Sequence, residues 1–407
     1  MRIAFLTSTF PSLSQTFILN QVTGLLKEGH DVQIFVRDKR ENPKVHPEVS
    51  KQALLSRTHY SGIPVNRGLR LINGAKLFAA NTCQDPKMLP TFLSFSRYRQ
   101  DALQLLYWTE LFLKQEPFDI VHCHFGPYGI WGAELKELGI IKGKLVTTFY
   151  GYDISSFVQS RNPYSRLFEI GDLFIAISDH ISRKLLALGC PSDRIVKLPI
   201  GVDLQKFCFS TTRLSPGEPV RILTVARLAE KKGIEYSIRA IAQVIQKHPD
   251  WEIKYRIAGD GPLRSELQDL IDHLDARHQV KLVGWMDQAE IQDLYASSHL
   301  FVLASVTAKN GDQEGQGLVL AEAQAAGLPV VCTDHNGFSE SIIDHKSGFL
   351  VPERDVDSLA EKIEFLIANP QVWSDMATEG RQYIEKNYAL YNLNRQLIDL
   401  YDTLLAE

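Results

Sequence analysis

Two doubly wound parallel α/β sheets, one following the other, are the fold class predicted by this 407-residue sequence. Three observations carry that reading. Short apolar, β-branched runs alternate with amphipathic helical runs almost throughout, the pattern of parallel strands covered by helices on both faces. The alternation is interrupted once, by the loop-like stretch DLQKFCFSTTRLSPGEP at residues 203–219, and then resumes. The length also suffices for two domains with full cores, at 44% hydrophobic and 23% charged residues.

In the first half, RIAFLTS reads as a strand, QTFILNQVTGLLKEGH as a helix and DVQIFVR as the next strand; FDIVHCH, KLVTTF, LFIAIS and IVKLPI continue the series. The second half supplies VRILTVA, IKYRIAG, VKLVGW, LFVLAS, PVVCT and GFLV. The expected domains are 1–205 and 206–388, facing each other across a cleft. In open α/β sheets a ligand sits beyond the carboxyl ends of the strands, so the residues after each strand are the ones to inspect.

Composition narrows the function. Five cysteines (Cys83, Cys123, Cys190, Cys208, Cys332) lack C-x-x-C spacing and are odd in number, which argues against a disulfide framework or structural zinc and for a reducing cytosol. The start, MRIAFLTSTFPS, has too short an apolar run for a secretion signal, and no stretch approaches a membrane span, so a cytoplasmic protein is expected. Net charge is −4, yet between Arg37 and Arg99 twelve Lys/Arg face four acids. That basic region is interleaved with apolar residues (GLRLINGAKLFAA, FLSFSRYRQ), which fits an anionic membrane surface or a phosphorylated acceptor. A solvated helical face is the plainer alternative. No nucleic-acid module is present, and nucleic acid is not an expected partner.

The strand ends carry the chemistry. TVARLAEKKG brings Arg227 and Lys232 just past a strand, two permanent cations suited to a diphosphate whose charge grows as it leaves. AGDGPL places Gly259 at a turn, with Asp260 read as structural. DQEGQGLVLAEAQAAGLPVV holds Glu314, then Gly315, Gln316, Gly317 and Leu318 at a helix start, whose free N–H groups attract phosphate. Glu322 is placed about two turns into that helix, roughly 12 Å from Glu314 were the whole span helical. In DIVHCH, His122 reads as a satisfied structural histidine and His124 as the functional one; no third ligand of suitable spacing joins them. Asp355 and Asp357 read as a helix N-cap, so no metal is expected.

Taken together, ARLAEKKG, GDGPL, GWMDQAEIQDLYASSHLFVLAS, the E-x7-E pair in EGQGLVLAE, AAGLPVV, GVDLQKF and HCHFG make the chain resemble the retaining, nucleotide-sugar-dependent glycosyltransferases of family 4, with the two-domain GT-B fold. FPSLSQTFILNQV, HFGPYGIWGA and GYDIS resemble the exopolysaccharide branch, of colanic-acid or amylovoran type. The resemblance implies that Arg227 and Lys232 grip the donor diphosphate, Glu322 holds the ribose and Glu314 contacts the transferred sugar. His124 would meet the sugar or acceptor, with Ser14, Gln15, Tyr150 and Asp153 on the acceptor or sugar side. It further implies no cofactor, a nucleotide-diphosphate sugar as donor (a UDP-sugar in the first instance), and a saccharide or lipid-linked acceptor at the membrane's inner face. A last helix over about 389–407 would cross back to the first domain. Three departures stand out. TFPSLSQTF replaces a Gly-Gly loop, Tyr150 stands where relatives have histidine, and HNGFSE replaces a more glycine-rich turn. A catalytically silent subunit supporting a partner transferase and a sugar-nucleotide epimerase are the competing readings.

Overall fold

The apolar runs form two sheets in which every named strand pairing is parallel. The computed structural model describes all residues except 13, 14, 38–45, 65, 85–101, 156, 159–161, 212 and 213, with backbone alone at 67, 78–84, 102 and 103. The first sheet contains β1 (Arg2–Thr7), β2 (Asp31–Val36), β3 (Thr58–Tyr60), β4 (Ile120–His124), β5 (Lys144–Phe149), β6 (Leu173–Ala176) and β7 (Ile195–Lys197), in the order β3-β2-β1-β4-β5-β6-β7. The second contains β8 (Val220–Val225), β9 (Ile253–Ala258), β10 (Val280–Gly284), β11 (Leu300–Leu303), β12 (Val330–Thr333) and β13 (Gly348–Val351), in the order β10-β9-β8-β11-β12-β13.

Both orders reverse direction once, between β1 and β4 and between β8 and β11. At such a switch the flanking helices diverge and leave a crevice at the strand ends. The central strands are buried on both faces, as their continuous Ile/Val/Leu/Phe runs require: Ile3 to Leu6 and Leu300 to Leu303 have no exposed surface. β3 is an addition to the expected set. Three residues at a sheet edge are too few to show a period.

The chain passes between the sheets twice, and the two passages bond to each other. Val202 N donates to Tyr388 O at 2.8 Å, and Leu390 N donates to Val202 O at 2.9 Å. The second passage delivers helix Leu390–Ala406 to the first domain, where Leu393, Leu397, Tyr401 and Leu404 join a core with Ile3, Phe5 and Ile18. Asp355 is the N-cap of helix Val356–Ala368, its side chain accepting from Ser358 N at 2.9 Å.

Tyr401 also reaches the middle of the sheet. Its hydroxyl and His122 Nδ1 share a 2.5 Å hydrogen bond, and His122 Nε2 bonds Thr148 Oγ1 at 2.7 Å. Both ring nitrogens are therefore used, and burial pushes the imidazole down to a pKa of about 3, so it stays neutral. Tyr401→Phe would leave a fully buried imidazole nitrogen without its partner. Destabilisation of about 1–3 kcal/mol is expected from urea unfolding, with secondary structure unchanged by circular dichroism.

Candidate active site

Helix Leu318–Ala326 stands at the carboxyl end of β11. Gly317 caps it with φ of 75°, a left-handed conformation that glycine adopts without strain, and Gly327 (φ 92°) ends it. Arg381 secures the far end by donating to Ala325 O at 2.7 Å. The helix starts only at Leu318, so residues 314–317 form a loop and Glu322 lies just over one turn in, not two. The roughly 12 Å spacing of a continuous helix therefore does not describe this pair.

Glu314 is held by two lysines. Lys232 Nζ lies 2.9 Å from one carboxylate oxygen and Lys231 Nζ 3.2 Å from the other. Burial alone would raise the Glu314 pKa, but the two ammonium groups outweigh it and hold the carboxyl at about 2. Lys231 also donates to Asp312 at 3.2 Å and to Gln313 O at 3.4 Å, so its three N–H groups are committed. Lys232 has Glu314 as its hydrogen-bond partner and retains donors for another anion. Arg227, past the end of β8, is exposed, and its side chain makes no hydrogen bond or ion pair among the described residues.

Glu322 meets a different environment. Tyr295, from helix Gln288–Ala296, donates to its carboxylate at 3.2 Å, while burial dominates and lifts its pKa to about 7. The two acids of the motif are thus pushed in opposite directions, one by cations and one by desolvation. Gly259 donates its N–H to Gly284 O at 2.8 Å, and Asp260 accepts from Gly261 N at 2.8 Å, which makes both parts of the β9 turn.

On the first domain, His124 ends β4 with no exposed surface. Its Nδ1 and the Tyr150 hydroxyl share a 2.7 Å hydrogen bond, while Nε2 is buried without a partner among the described residues. Burial pushes the imidazole well below its ordinary range and the phenol well above. Nε2 is thus the ring atom left open, on an imidazole held neutral. Gln15 Oε1 is likewise buried without a partner among the described residues. Phe125, next in the chain, takes φ of 75°, a strained conformation for a bulky residue. It is held by Thr148 O, which accepts Phe125 N at 2.9 Å, and by Asp153, which accepts Gly126 N at 3.0 Å. Asp153 also accepts Tyr150 N at 3.0 Å and is fully buried, so its carboxylate serves the backbone at this turn. Burial lifts its pKa to about 6. Ser14 lies outside the described residues.

The two halves of the site touch. A Cβ at Gly315 would collide with Tyr150 O, and one at Gly151 would lie 3.2 Å from Gln313 O. Gln316 is buried, its side chain accepting from Ile200 N at 2.7 Å and donating to Ile200 O at 2.9 Å, a further tie between the two domains. Glu340 accepts from Asp179 N at 2.8 Å, at the start of helix Asp179–Ala187 in the other domain. The site is thus a cleft between strand ends with two cations, two carboxylates of opposite tuning, a helix N-terminus and a neutral histidine. Among the described residues, no group of three or more His, Cys, Asp or Glu is arranged to hold a metal ion.

Family models agree with this geometry over both halves: Glycosyltransferase Family 4 matches residues 14–206 and Glycosyl transferases group 1 matches residues 210–383. The amylovoran biosynthesis glycosyltransferase AmsK of Erwinia amylovora is 35% identical, over 99% of this chain and 100% of its own. The chain belongs to glycosyltransferase family 4. It is also similar to WcaL of Salmonella typhimurium, named for colanic acid biosynthesis, at 33% identity over 99% of this chain and 100% of the relative. Among solved structures, Anabaena HepE in complex with UDP and glucose superposes with a TM-score of 0.71 at 17% identity, covering 99% of this chain and 100% of that one. This likeness establishes the two-domain GT-B fold.

Several residues of this glycosyltransferase's site escape a motif reading. Lys231 adjoins Lys232 in sequence, and only their directions separate the lysine tied to three acceptors from the one with donors to spare. Tyr295 is 27 positions from its glutamate. His335 and Glu353 follow β12 and β13, so the strand-end rule is the signal that could have found them. For Glu322, a folded-state pKa near 7 above an ordinary 4.5 means that the native state binds the extra proton between those values. Stability therefore falls as pH rises from about 4.5 to about 7, by about 1–3 kcal/mol. Glu322→Gln should remove that slope in urea unfolding across the window. Glu314 has the opposite sign, stabilising above about 4.5 and losing its contribution as pH falls through about 2.

Proposed function

We propose that this glycosyltransferase moves a sugar from a UDP-sugar to a growing, lipid-linked saccharide in exopolysaccharide biosynthesis, with retention and without a metal. The observation that carries the reading is the Lys232–Glu314 pair, which precedes helix Leu318–Ala326 by a short loop. Lys232 has donors to spare, and Arg227, past the end of β8, has an exposed and unpaired side chain. They can take up the charge that grows on a departing diphosphate, the task a metal performs in other folds. Glu314, ionised and fixed, accepts hydroxyl hydrogen bonds from the sugar; Glu322 accepts them from the ribose. His124 offers Nε2 to the reacting sugar. Attack then comes from the face the diphosphate leaves, which asks the protein for positioning more than for a nucleophile.

The exopolysaccharide role is carried over from AmsK and WcaL, and the uridine nucleotide from HepE. Thermal-shift measurement against a panel of nucleotide sugars tests the donor, because a ligand of the folded state raises apparent stability. UDP-sugars should raise the melting temperature and GDP-sugars should not; the reverse would overturn the uridine assignment. Lys232→Ala and Glu322→Ala should each lower turnover by about 100-fold or more at an unchanged fold. Undiminished turnover in both would remove the roles of Lys232 at the diphosphate and Glu322 at the ribose, and an inverted anomeric signal in the product's NMR spectrum would remove retention.

The acceptor's lipid implies a membrane surface. Among the described residues no helix is long and apolar enough to cross a membrane. Helix Arg67–Gln84 instead exposes Leu69, Leu71 and Ile72, each by more than half, together with Lys76. Most of the remaining cations between 38 and 99 lie outside the described residues or have no described side chain. We expect the protein to sediment with anionic vesicles at low salt and to be released as salt rises. Equal recovery with neutral vesicles would remove the electrostatic part of this proposal.

A further inference from the structure

The turn after β12, His335-Asn336-Gly337, puts two side chains to work on the neighbouring loop. His335 has no exposed surface. Its Nδ1 lies 2.5 Å from a carboxylate oxygen of Glu353, two residues past β13. A carboxylate can only accept, so that bond fixes the proton on Nδ1 and leaves Nε2 as an acceptor. Nε2 in turn accepts the backbone N–H of Glu314 at 3.2 Å and Asn336 Nδ2 at 3.0 Å. Asn336 Nδ2 also donates to Glu314 O at 3.0 Å. Asn336 adopts φ of 51°, left-handed, which asparagine tolerates better than most side chains. The other oxygen of Glu353 accepts Thr307 N at 2.9 Å, from the loop that follows β11.

Three strand ends therefore converge on one residue, Glu314. Its N–H and its carbonyl are both taken by the 335–336 turn, and its carboxylate is gripped from the far side by Lys231 and Lys232. We propose that the His335–Glu353 pair, with Asn336, is the positioning device for Glu314, and so sets how tightly the enzyme discriminates the complete nucleotide sugar from the bare nucleotide. The inference rests on the reading that Glu314 contacts the transferred sugar. His335 touches no substrate in this scheme. It acts through the Glu314 main chain, which a plain glycine turn has no side chain to hold. A glutamine at 335 retains an amide oxygen able to accept the Glu314 N–H, whereas an alanine does not.

The test compares His335→Ala and His335→Gln with the wild type in the full chain, by two readouts. Hydrogen exchange without nucleotide should rise about 10-fold or more over residues 312–318 in His335→Ala, with the β8 to β11 strands still protected, and should stay near wild type in His335→Gln. Affinity for UDP-glucose should weaken about 10-fold in His335→Ala while affinity for UDP stays within about twofold, a split that general loosening of the domain would not produce. Unchanged exchange over 312–318, or equal loss for UDP and UDP-glucose, would overturn the proposal. Failure of the wild type to bind either probe would count against the donor assignment instead, and the exchange result would still decide whether His335 fixes the Glu314 peptide.

Discussion

The close backbone approach between Gly315 and Tyr150 is the constraint on which the rest of the site depends. With any Cβ at 315 the Tyr150 carbonyl could not stay where it is, and a Cβ at 337 would strike the carbonyl of Gly315 itself. The loop carrying Glu314 is therefore threaded between the first domain on one side and the 335–338 turn on the other. Its glycines serve the contact between domains as well as any phosphate. The segment that carries Glu314 is thus the same segment that meets the first domain. Gln316 adds to that contact: its buried side chain pairs with both the N–H and the carbonyl of Ile200, close in sequence to the inter-domain passage at Val202.

The electrostatics divide the work along the same loop. Lys231 is saturated by Asp312, Gln313 O and Glu314, so it contributes order; Lys232 is paired with Glu314 and keeps donors to spare. Because both lysines draw Glu314 into its ionised form, its carboxylate is a hydrogen-bond acceptor across the ordinary pH range. Glu322 has no nearby cation of that strength. Its phenol partner and its burial leave it close to its titration point at neutral pH, where a ribose hydroxyl would favour the ionised form.

How much of this is legible in the sequence depends on whether a feature is local. Period and β-branching reveal twelve of the strands, because each is four to six residues of one character or, like β7, lies within such a run; β3, three residues at an edge, carries no such period. Glu314, Lys232 and Glu322 stand out because their spacing is short and their types are fixed by charge. Asp153 could be placed near the site but not assigned: only the fold reveals that its carboxylate is used by the N–H groups of Gly126 and Tyr150. Tyr295, His335 and Glu353 act across strand ends, where neighbours in space are distant in sequence. The helix start at Leu318 is hidden for a related reason, since Gly317 in a left-handed conformation ends the loop and a sequence shows a glycine but not its φ.

The C-terminal helix links the inter-domain passage to the strand end at His124. Tyr401 bonds His122, and His122 stacks on His124 with ring centroids 4.5 Å apart. His124 in turn is fixed by Tyr150, whose own carbonyl abuts Gly315. The helix that supplies Tyr401 begins at Leu390, hydrogen-bonded to Val202 where the chain passes between domains. A continuous set of buried, neutral groups thus runs from the inter-domain passage to the unpaired Nε2 of His124 and on to the donor loop. Since each imidazole is held neutral by burial, this path between the two domains carries no charge that would have to be solvated in the core.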